Sequence, residues 1–195
     1  MNEKPVVLLT RRWPEKVESQ MAELFELRVN ASDLPMSDAQ LAQALLEVDI
    51  VCPTVTDKID GQMLSAANIR TRLLANFGVG FNHIDIAAAS RLGIRVTNTP
   101  GVLTDATAEI AMTLLLTSAR RTGEGERLVR SGGWDGWRPT HMLSTQVTGK
   151  TLGIIGMGRI GQAIAKRCRS GFGMRVVFYN RSAKSLEGYE QLKTI

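Results

Sequence analysis

The sequence is poor in cysteine and aromatic residues and has no long apolar run, and these shortages exclude several classes of protein. Its two cysteines, Cys52 and Cys168, match no metal or redox spacing, so we interpret both as reduced core residues of a cytoplasmic protein. The richest apolar stretch, 106–119, is interrupted by Glu109 and several threonines, which excludes a membrane span. The N-terminus has neither the positive charge nor the apolar length of a signal peptide.

Positive charge is concentrated in the second half of the chain. Residues 1–100 carry ten Lys and Arg against twelve Asp and Glu, whereas residues 101–195 carry fourteen against seven. The basic residues form no Lys/Arg-rich run and are not interleaved with aromatics, so we exclude nucleic acid as a partner. A small molecule that bears phosphate fits this charge better.

Apolar strand-like runs alternate with helical segments through the first hundred residues. The predicted strands are 5–10, 27–29, 49–52, 73–76 and 94–96, and the predicted helices are 14–25, 37–47 and 84–92. We place Pro14 in the first helical turn and Gly93 just after the end of a helix. The alternation predicts βαβ units and a parallel sheet covered on both faces.

The second half begins with a helix, 104–121, whose apolar residues surround its axis. That pattern predicts a helix buried between domains or between subunits. A polar helix follows over 123–133, and then a loop that contains Trp134 and Trp137.

A glycine motif follows the apolar strand 152–155. It reads Gly156-Met157-Gly158-Arg159-Ile160-Gly161 and opens a helix over 160–169, before another strand at 174–179. This strand–turn–helix–strand context makes G-x-G-x-x-G a dinucleotide-binding fingerprint.

Each glycine of the motif has a separate physical task. Gly156 permits the tight turn, Gly158 lets a pyrophosphate approach the backbone, and Gly161 lets the helix pack against the strand. The N–H groups of Arg159 and Ile160 are then expected to face the phosphates, assisted by the helix dipole.

The end of the strand 174–179 indicates which nucleotide binds. An NAD site usually has Asp or Glu there, whereas this strand is followed by Asn180, Arg181 and Ser182. A guanidinium can hold a 2′-phosphate that a carboxylate would repel, so we predict NADP as the cofactor. If Arg181 is only a solvated loop charge, NAD is acceptable too.

Four sequence blocks carry a resemblance to a known family. They are residues 76–85 (NFGVGFNHID), 96–109 (VTNTPGVLTDATAE), 132–137 (GGWDGW) and 149–161 (GKTLGIIGMGRIG). In order and spacing they resemble the D-isomer-specific 2-hydroxyacid dehydrogenases, most closely the branch of glyoxylate/hydroxypyruvate reductases, or D-glycerate dehydrogenases.

The resemblance implies a domain organisation and further site residues. Residues 1–100 would be the N-terminal part of a flavodoxin-like substrate-binding domain, and 101–195 the first half of a Rossmann NAD(P)-binding domain. The N–H groups of Val79 and Gly80 would bind the substrate carboxylate, although a purely structural turn is the alternative. Thr104 would lie near the nicotinamide and the cofactor phosphates. The long helix would contribute to packing between domains and in a homodimer, and the Trp-containing arm would reach toward the partner subunit.

The family's catalytic Arg, Glu and His are expected downstream of Ile195, so we assign no catalytic residue to this chain. We interpret His83 as structural, and His141 in the arm as exposed or as lining a partner's site. We therefore expect an N-terminal fragment or a truncated gene product. A third strand of the nucleotide domain would begin at Ile195, and the unfinished sheet would have an open edge at 174–179 or beside a partial third strand.

The function predicted for the complete enzyme is hydride transfer between a nicotinamide cofactor and a small 2-keto or 2-hydroxy acid, most simply glyoxylate or hydroxypyruvate. Two alternatives stay open. One is a nucleotide-sensing binding protein similar to the corepressors that share this fold. The other is an inactive remnant that binds cofactor weakly or not at all.

Overall fold

A computed structural model describes residues 4–195. The chain forms two compact units that meet in sequence between Pro100 and Gly101. Among the described residues, no helix combines the length and hydropathy needed to cross a membrane.

The first unit is built around a parallel sheet of five strands. Its elements are β1 Val6–Leu9, α1 Glu15–Leu24, β2 Glu26–Val29, α2 Asp38–Glu47, β3 Ile50–Cys52, β4 Leu73–Ala75, α3 Ile86–Arg91 and β5 Arg95–Thr97. The strand order is β2-β1-β3-β4-β5 and every pairing is parallel. This is the flavodoxin-like order, so the predicted fold of the first unit is confirmed.

Both faces of the first sheet are covered. Successive side chains of a strand point to opposite faces, so one strand can supply residues to two cores. In β1, Val6 and Leu8 belong to one buried cluster, and Val7 and Leu9 belong to another. The continuous apolar sequence of β1 therefore serves two cores, as the alternating strand and helix pattern predicts.

The second unit contains a parallel sheet of three strands. Its elements are α4 Thr104–Ala119, α5 Thr122–Arg130, β6 Thr151–Ile155, α6 Arg159–Phe172, β7 Arg175–Tyr179 and β8 Glu190–Gln191. The order is β6-β7-β8, with β7 in the middle. This order matches the first three strands of a Rossmann sheet, which confirms the predicted half-domain.

Local chemistry sets where several helices begin and end. Ser37 and Gln40 form a capping box at the start of α2. Gly93 has a φ of 71°, the left-handed conformation predicted for it after α3. Pro14 is the N-cap of α1 and not a first-turn residue, because its ψ of 131° is extended.

The long helix α4 is buried on only one side within this chain, so the predicted burial between domains or between subunits stays a prediction. Ala108 and Met112 are buried, whereas Ile110 and Leu114 are 62% and 63% exposed. The helix also ends at Ala119, two residues before the predicted end, since Arg121 has a φ of 54°.

The prediction of a third strand beginning at Ile195 is wrong. The strand β8 forms earlier, at Glu190–Gln191, and its residues pair with Val177 and Phe178 of β7. Of the two places predicted for an open edge, the structure has the second: β7 is central, and the outer strands of the sheet are β6 and the short third strand β8.

Candidate functional site

The glycine turn lies at the carboxyl end of β6. Gly156 has a φ of 96°, a backbone conformation that residues other than glycine rarely adopt. Its N–H donates to the Tyr179 carbonyl oxygen at 2.8 Å, which fixes the turn to the end of β7.

Two other glycines determine the space at the N-terminus of α6. A β-carbon at Gly161 would overlap the Gly156 carbonyl oxygen, so only glycine allows this close approach of helix and turn. A β-carbon at Gly158 would meet no atom within 4 Å, so the backbone there faces open space. The N–H groups of Arg159 and Ile160 lie in the first turn of α6 and have no intrahelical acceptor. This open, glycine-lined helix N-terminus fits a pyrophosphate.

The residues after β7 are organised by their own hydrogen bonds. The Asn180 Oδ1 accepts from the Met157 N–H at 3.2 Å, and its Nδ2 donates to the main-chain oxygen and the Oγ of Ser182, both at 3.0 Å. The side chain of Asn180 therefore joins this loop to the glycine turn. Arg181 is exposed, and no partner of its guanidinium falls among the described residues.

Thr104 is the first residue of α4 and is half-buried. On the same helix, Asp105 pairs with Arg167 of α6 at 2.9 Å, so the two helices are joined near the start of α4. The place of Thr104 beside a bound nicotinamide stays a prediction.

The predicted carboxylate loop follows β4 in the first unit. Two asparagine side chains bind the carbonyl oxygens of this loop. The Asn76 Nδ2 donates to the carbonyl oxygens of Gly78 and Gly80 at 3.2 and 2.9 Å. The Asn98 Nδ2 donates to the carbonyl oxygen of Val79 at 2.8 Å. Within residues 4–195, no acceptor meets the N–H groups of Val79 and Gly80. The loop therefore offers consecutive donors of the kind that bind an anion.

His83 positions the carboxylate loop through Asn76. The Nε2 of His83 lies 2.9 Å from the Asn76 Oδ1, and since the Nδ2 of Asn76 is already donating, this histidine nitrogen is the donor. Burial lowers the pKa of His83, and the negative charge of Asp57 opposes that change. This geometry agrees with the structural role predicted for His83.

The sequence reasoning gave Asp57 no role, although it is fully buried at the carboxyl edge of the first sheet. Its Oδ2 accepts from the Thr10 Oγ1 at 2.6 Å and the Thr54 N–H at 2.7 Å. These bonds connect the segments that follow β1 and β3. Asn76 and Asn98 lie in the sequence blocks that carry the family resemblance, and the sequence predicts no separate role for either. The one available signal for Asn76 and Asn98 is an Asn directly after a strand, and Asp57, five residues after β3, has no such signal.

An arm groove of about 770 Å³ lies between α5 and the loop after it. Its lining includes Leu128, Val129, Trp134, Trp137 and His141. His141 is half-buried there and is not freely exposed.

The two cysteines are buried and free, which confirms their assignment to the core. Burial raises the pKa of the Cys52 thiol to about 12, and it also raises the pKa of the Cys168 thiol. Neither residue is therefore suited to thiolate chemistry. No group of His, Cys, Asp and Glu side chains in the described part of the chain could hold a metal ion.

Comparison with known proteins identifies the family. Residues 7–192 match the catalytic domain of the D-isomer-specific 2-hydroxyacid dehydrogenases. The chain belongs to this family. Enzymes of the family use NAD(H) or NADP(H). The resemblance predicted from the four sequence blocks is thus confirmed.

The most similar relatives include glyoxylate reductases. That of Thermococcus kodakarensis is 44% identical over 185 residues, which are 93% of this chain and 55% of the relative. The chain therefore spans about half the length of the curated relatives that it matches.

Solved structures show the same fold. The NADPH-dependent glyoxylate/hydroxypyruvate reductase of Sinorhizobium meliloti, in complex with citrate, is 30% identical with a TM-score of 0.80, over 98% of this chain and 59% of that one. The 2-hydroxyacid dehydrogenase of Ketogulonicigenium vulgare is 27% identical with a TM-score of 0.78, over the same shares.

Proposed function

We propose that this chain supplies the cofactor-binding turn and the substrate-carboxylate loop of an NADPH-dependent D-2-hydroxyacid dehydrogenase that reduces glyoxylate or hydroxypyruvate. The observation that carries the proposal is the glycine turn. Gly156 makes the bend, Gly161 permits α6 to pack closely against the turn, and Gly158 leaves open space at the backbone. The glyoxylate reductases among its relatives support the substrate class.

The chain's own residues bind and orient in this proposal. The N–H groups of Arg159 and Ile160 hold the pyrophosphate, and those of Val79 and Gly80 hold the carboxylate of the keto acid. When bound, the nicotinamide supplies the hydride. Acid–base and polarising roles are assigned to residues downstream of Ile195.

NADP is the proposed form of the cofactor, because the loop after β7 offers Arg181 where an NAD site would offer a carboxylate. A charge-assisted hydrogen bond to phosphate is worth roughly 1.5–3 kcal/mol, which corresponds to roughly ten- to hundredfold in affinity. The exposed guanidinium of Arg181 supports this assignment.

Binding titrations test both parts of the proposal. NADPH and NADH are titrated into the 195-residue chain and followed by nicotinamide fluorescence. Gly158→Ala is expected to weaken both cofactors, since its methyl group fills the space for the pyrophosphate. Arg181→Ala is expected to weaken NADPH about tenfold or more and NADH little. The control Arg127→Ala removes another exposed arginine and should change neither. Equal loss of both cofactors in Arg181→Ala contradicts the NADP assignment.

A turnover assay with NADPH and glyoxylate tests where the catalytic residues lie. The purified chain is expected to bind cofactor without turnover. Sustained oxidation of NADPH that depends on glyoxylate would show that a catalytic set is present within these 195 residues.

A homodimer is the proposed assembly, and the arm groove supports it. Val129 and Trp137 are 61% and 82% exposed there, and apolar side chains so placed are typical of a surface that another chain covers. The free, buried cysteines support a cytoplasmic location.

A further inference from the structure

Gln191 lies beside the loop that carries Arg181. It belongs to β8, where it pairs with Phe178 of the parallel strand β7. The next residue, Leu192, donates its N–H to the Phe178 carbonyl oxygen at 2.8 Å and secures this register. Because parallel strands end at the same edge of a sheet, Gln191 lies where the chain leaves β7 and enters the loop.

The side chain of Gln191 binds three main-chain groups of this loop. Its Oε1 accepts from the Lys184 N–H at 2.8 Å. Its Nε2 donates to the carbonyl oxygens of Asn180 and Ser182, both at 3.2 Å. One amide therefore holds the main chain on both sides of Arg181.

These bonds continue to the glycine turn. Asn180, whose main chain is held by Gln191, accepts the Met157 N–H with its side chain. The loop is thus fixed between β8 and the turn, while the guanidinium of Arg181 is exposed. A fixed loop with a free charged group is preorganised for an anion, because little order has to be gained on binding.

We propose that Gln191 is a positioning residue that sets the preference for a 2′-phosphate by holding the loop 180–184 in its binding conformation. This inference rests on the proposed function, in which Arg181 receives that phosphate. In that function Arg181 contacts only the 2′-phosphate, so adenine nucleotides without one are expected not to depend on it. The loss of Gln191 should therefore affect one class of nucleotide and spare the other.

The test uses two cofactor fragments that differ by one phosphate, 2′,5′-ADP and 5′-AMP, titrated by calorimetry into the 195-residue chain. Gln191→Ala is expected to weaken 2′,5′-ADP about five- to tenfold and 5′-AMP less than about twofold. The control Glu190→Ala changes the neighbouring residue of β8, whose side chain pairs with Arg175 instead, and should keep the wild-type ratio.

Hydrogen exchange measures directly whether the Gln191 side chain holds the Lys184 amide. The Lys184 amide should exchange faster in Gln191→Ala. In Gln191→Glu it should stay protected, because the acceptor oxygen is kept. That variant should still lose its preference for 2′,5′-ADP, since a carboxylate then faces the carbonyl oxygens of Asn180 and Ser182.

The outcomes separate the inference from the function on which it rests. If the wild-type chain binds 2′,5′-ADP no better than 5′-AMP, the NADP assignment fails and the inference fails with it. If the wild type prefers 2′,5′-ADP and both Gln191 variants keep that preference, Gln191 does not position the loop and the NADP assignment stands. An equal loss of both nucleotides would mean that Gln191 serves only the stability of the fold.

Discussion

At Gly161 a single hydrogen atom decides whether α6 can begin against the glycine turn. A methyl group there would overlap the Gly156 carbonyl oxygen, which is backbone and cannot rotate away. We expect Gly161→Ala to lower the free energy of unfolding by about 2–3 kcal/mol. Urea titrations followed by far-UV circular dichroism measure this loss.

Gly171 in the same helix provides the matched control. A β-carbon there would meet no atom within 4 Å, so alanine should stabilise the helix by about 0.5–1 kcal/mol. A Gly161→Ala variant as stable as Gly171→Ala would contradict the steric argument.

His83 should make the stability of the first unit depend on pH. Burial lowers its pKa below the ordinary value of 6.5, so the unfolded chain takes up a proton at a pH where the folded chain does not. The stabilisation from the neutral ring is complete above pH 6.5 and is lost as the pH falls through the lower, folded pKa. The melting temperature should therefore fall between pH 7.5 and 5.5.

The variant His83→Asn isolates this contribution. Its amide can still donate to Asn76, but it does not titrate in this range. We expect a smaller fall in melting temperature between the same two pH values. Identical pH profiles for the variant and the wild type would show that His83 is not the source.

The sequence predicted the conformations of the motif glycines, but it did not predict several contacts that side-chain amides make. The roles of Gly156 and Gly161 follow from steric rules that hold in any strand–turn–helix unit. The roles of Asn76, Asn98 and Gln191 depend on which loop folds back over which strand, and no local pattern encodes that.

At the scale of elements, the capping box of α2 is a separable source of stability. The Ser37 Oγ accepts from the Gln40 N–H at 3.3 Å, and the Gln40 side chain accepts from the Ser37 N–H at 2.8 Å. We expect Ser37→Ala to lower the free energy of unfolding by about 1 kcal/mol. Chemical denaturation of the variant and the wild type measures the difference.

Ser118 supplies the control for that substitution. It is exposed near the end of α4, and alanine has the higher helix propensity. Ser118→Ala should therefore be neutral or stabilising by a few tenths of a kcal/mol, roughly the propensity difference. If both serine variants lose stability equally, the cap is not the cause.

Strands and helices with apolar periodicity were predicted closely, and the misses have physical reasons. The strand β8 consists of Glu190 and Gln191, which carry no apolar signal, and it forms because β7 offers main-chain partners. The apolar face of α4 that carries Ile110 and Leu114 is uncovered within this chain, and its predicted burial against another domain or subunit stays a prediction.

At the scale of the whole molecule, the proposed homodimer predicts that a charge in the arm groove weakens association. Val129→Asp should shift the protein toward monomer in light scattering after gel filtration, because a carboxylate is costly to bury in an apolar interface. Val55→Asp is the control, since that valine is 64% exposed in the first unit, against 61% for Val129. An unchanged mass for Val129→Asp, or an equal change for Val55→Asp, contradicts the assignment of this surface.

The two compact units each have a core of their own, so their unfolding need not coincide. The tryptophans are divided between them: Trp13 is half-buried in the first unit, while Trp134 and Trp137 are exposed in the second. In the monomer, intrinsic fluorescence will consequently report mainly the loss of the environment around Trp13 and hardly register the unfolding of the second unit. If emission and ellipticity change at different denaturant concentrations, the two units unfold one after the other.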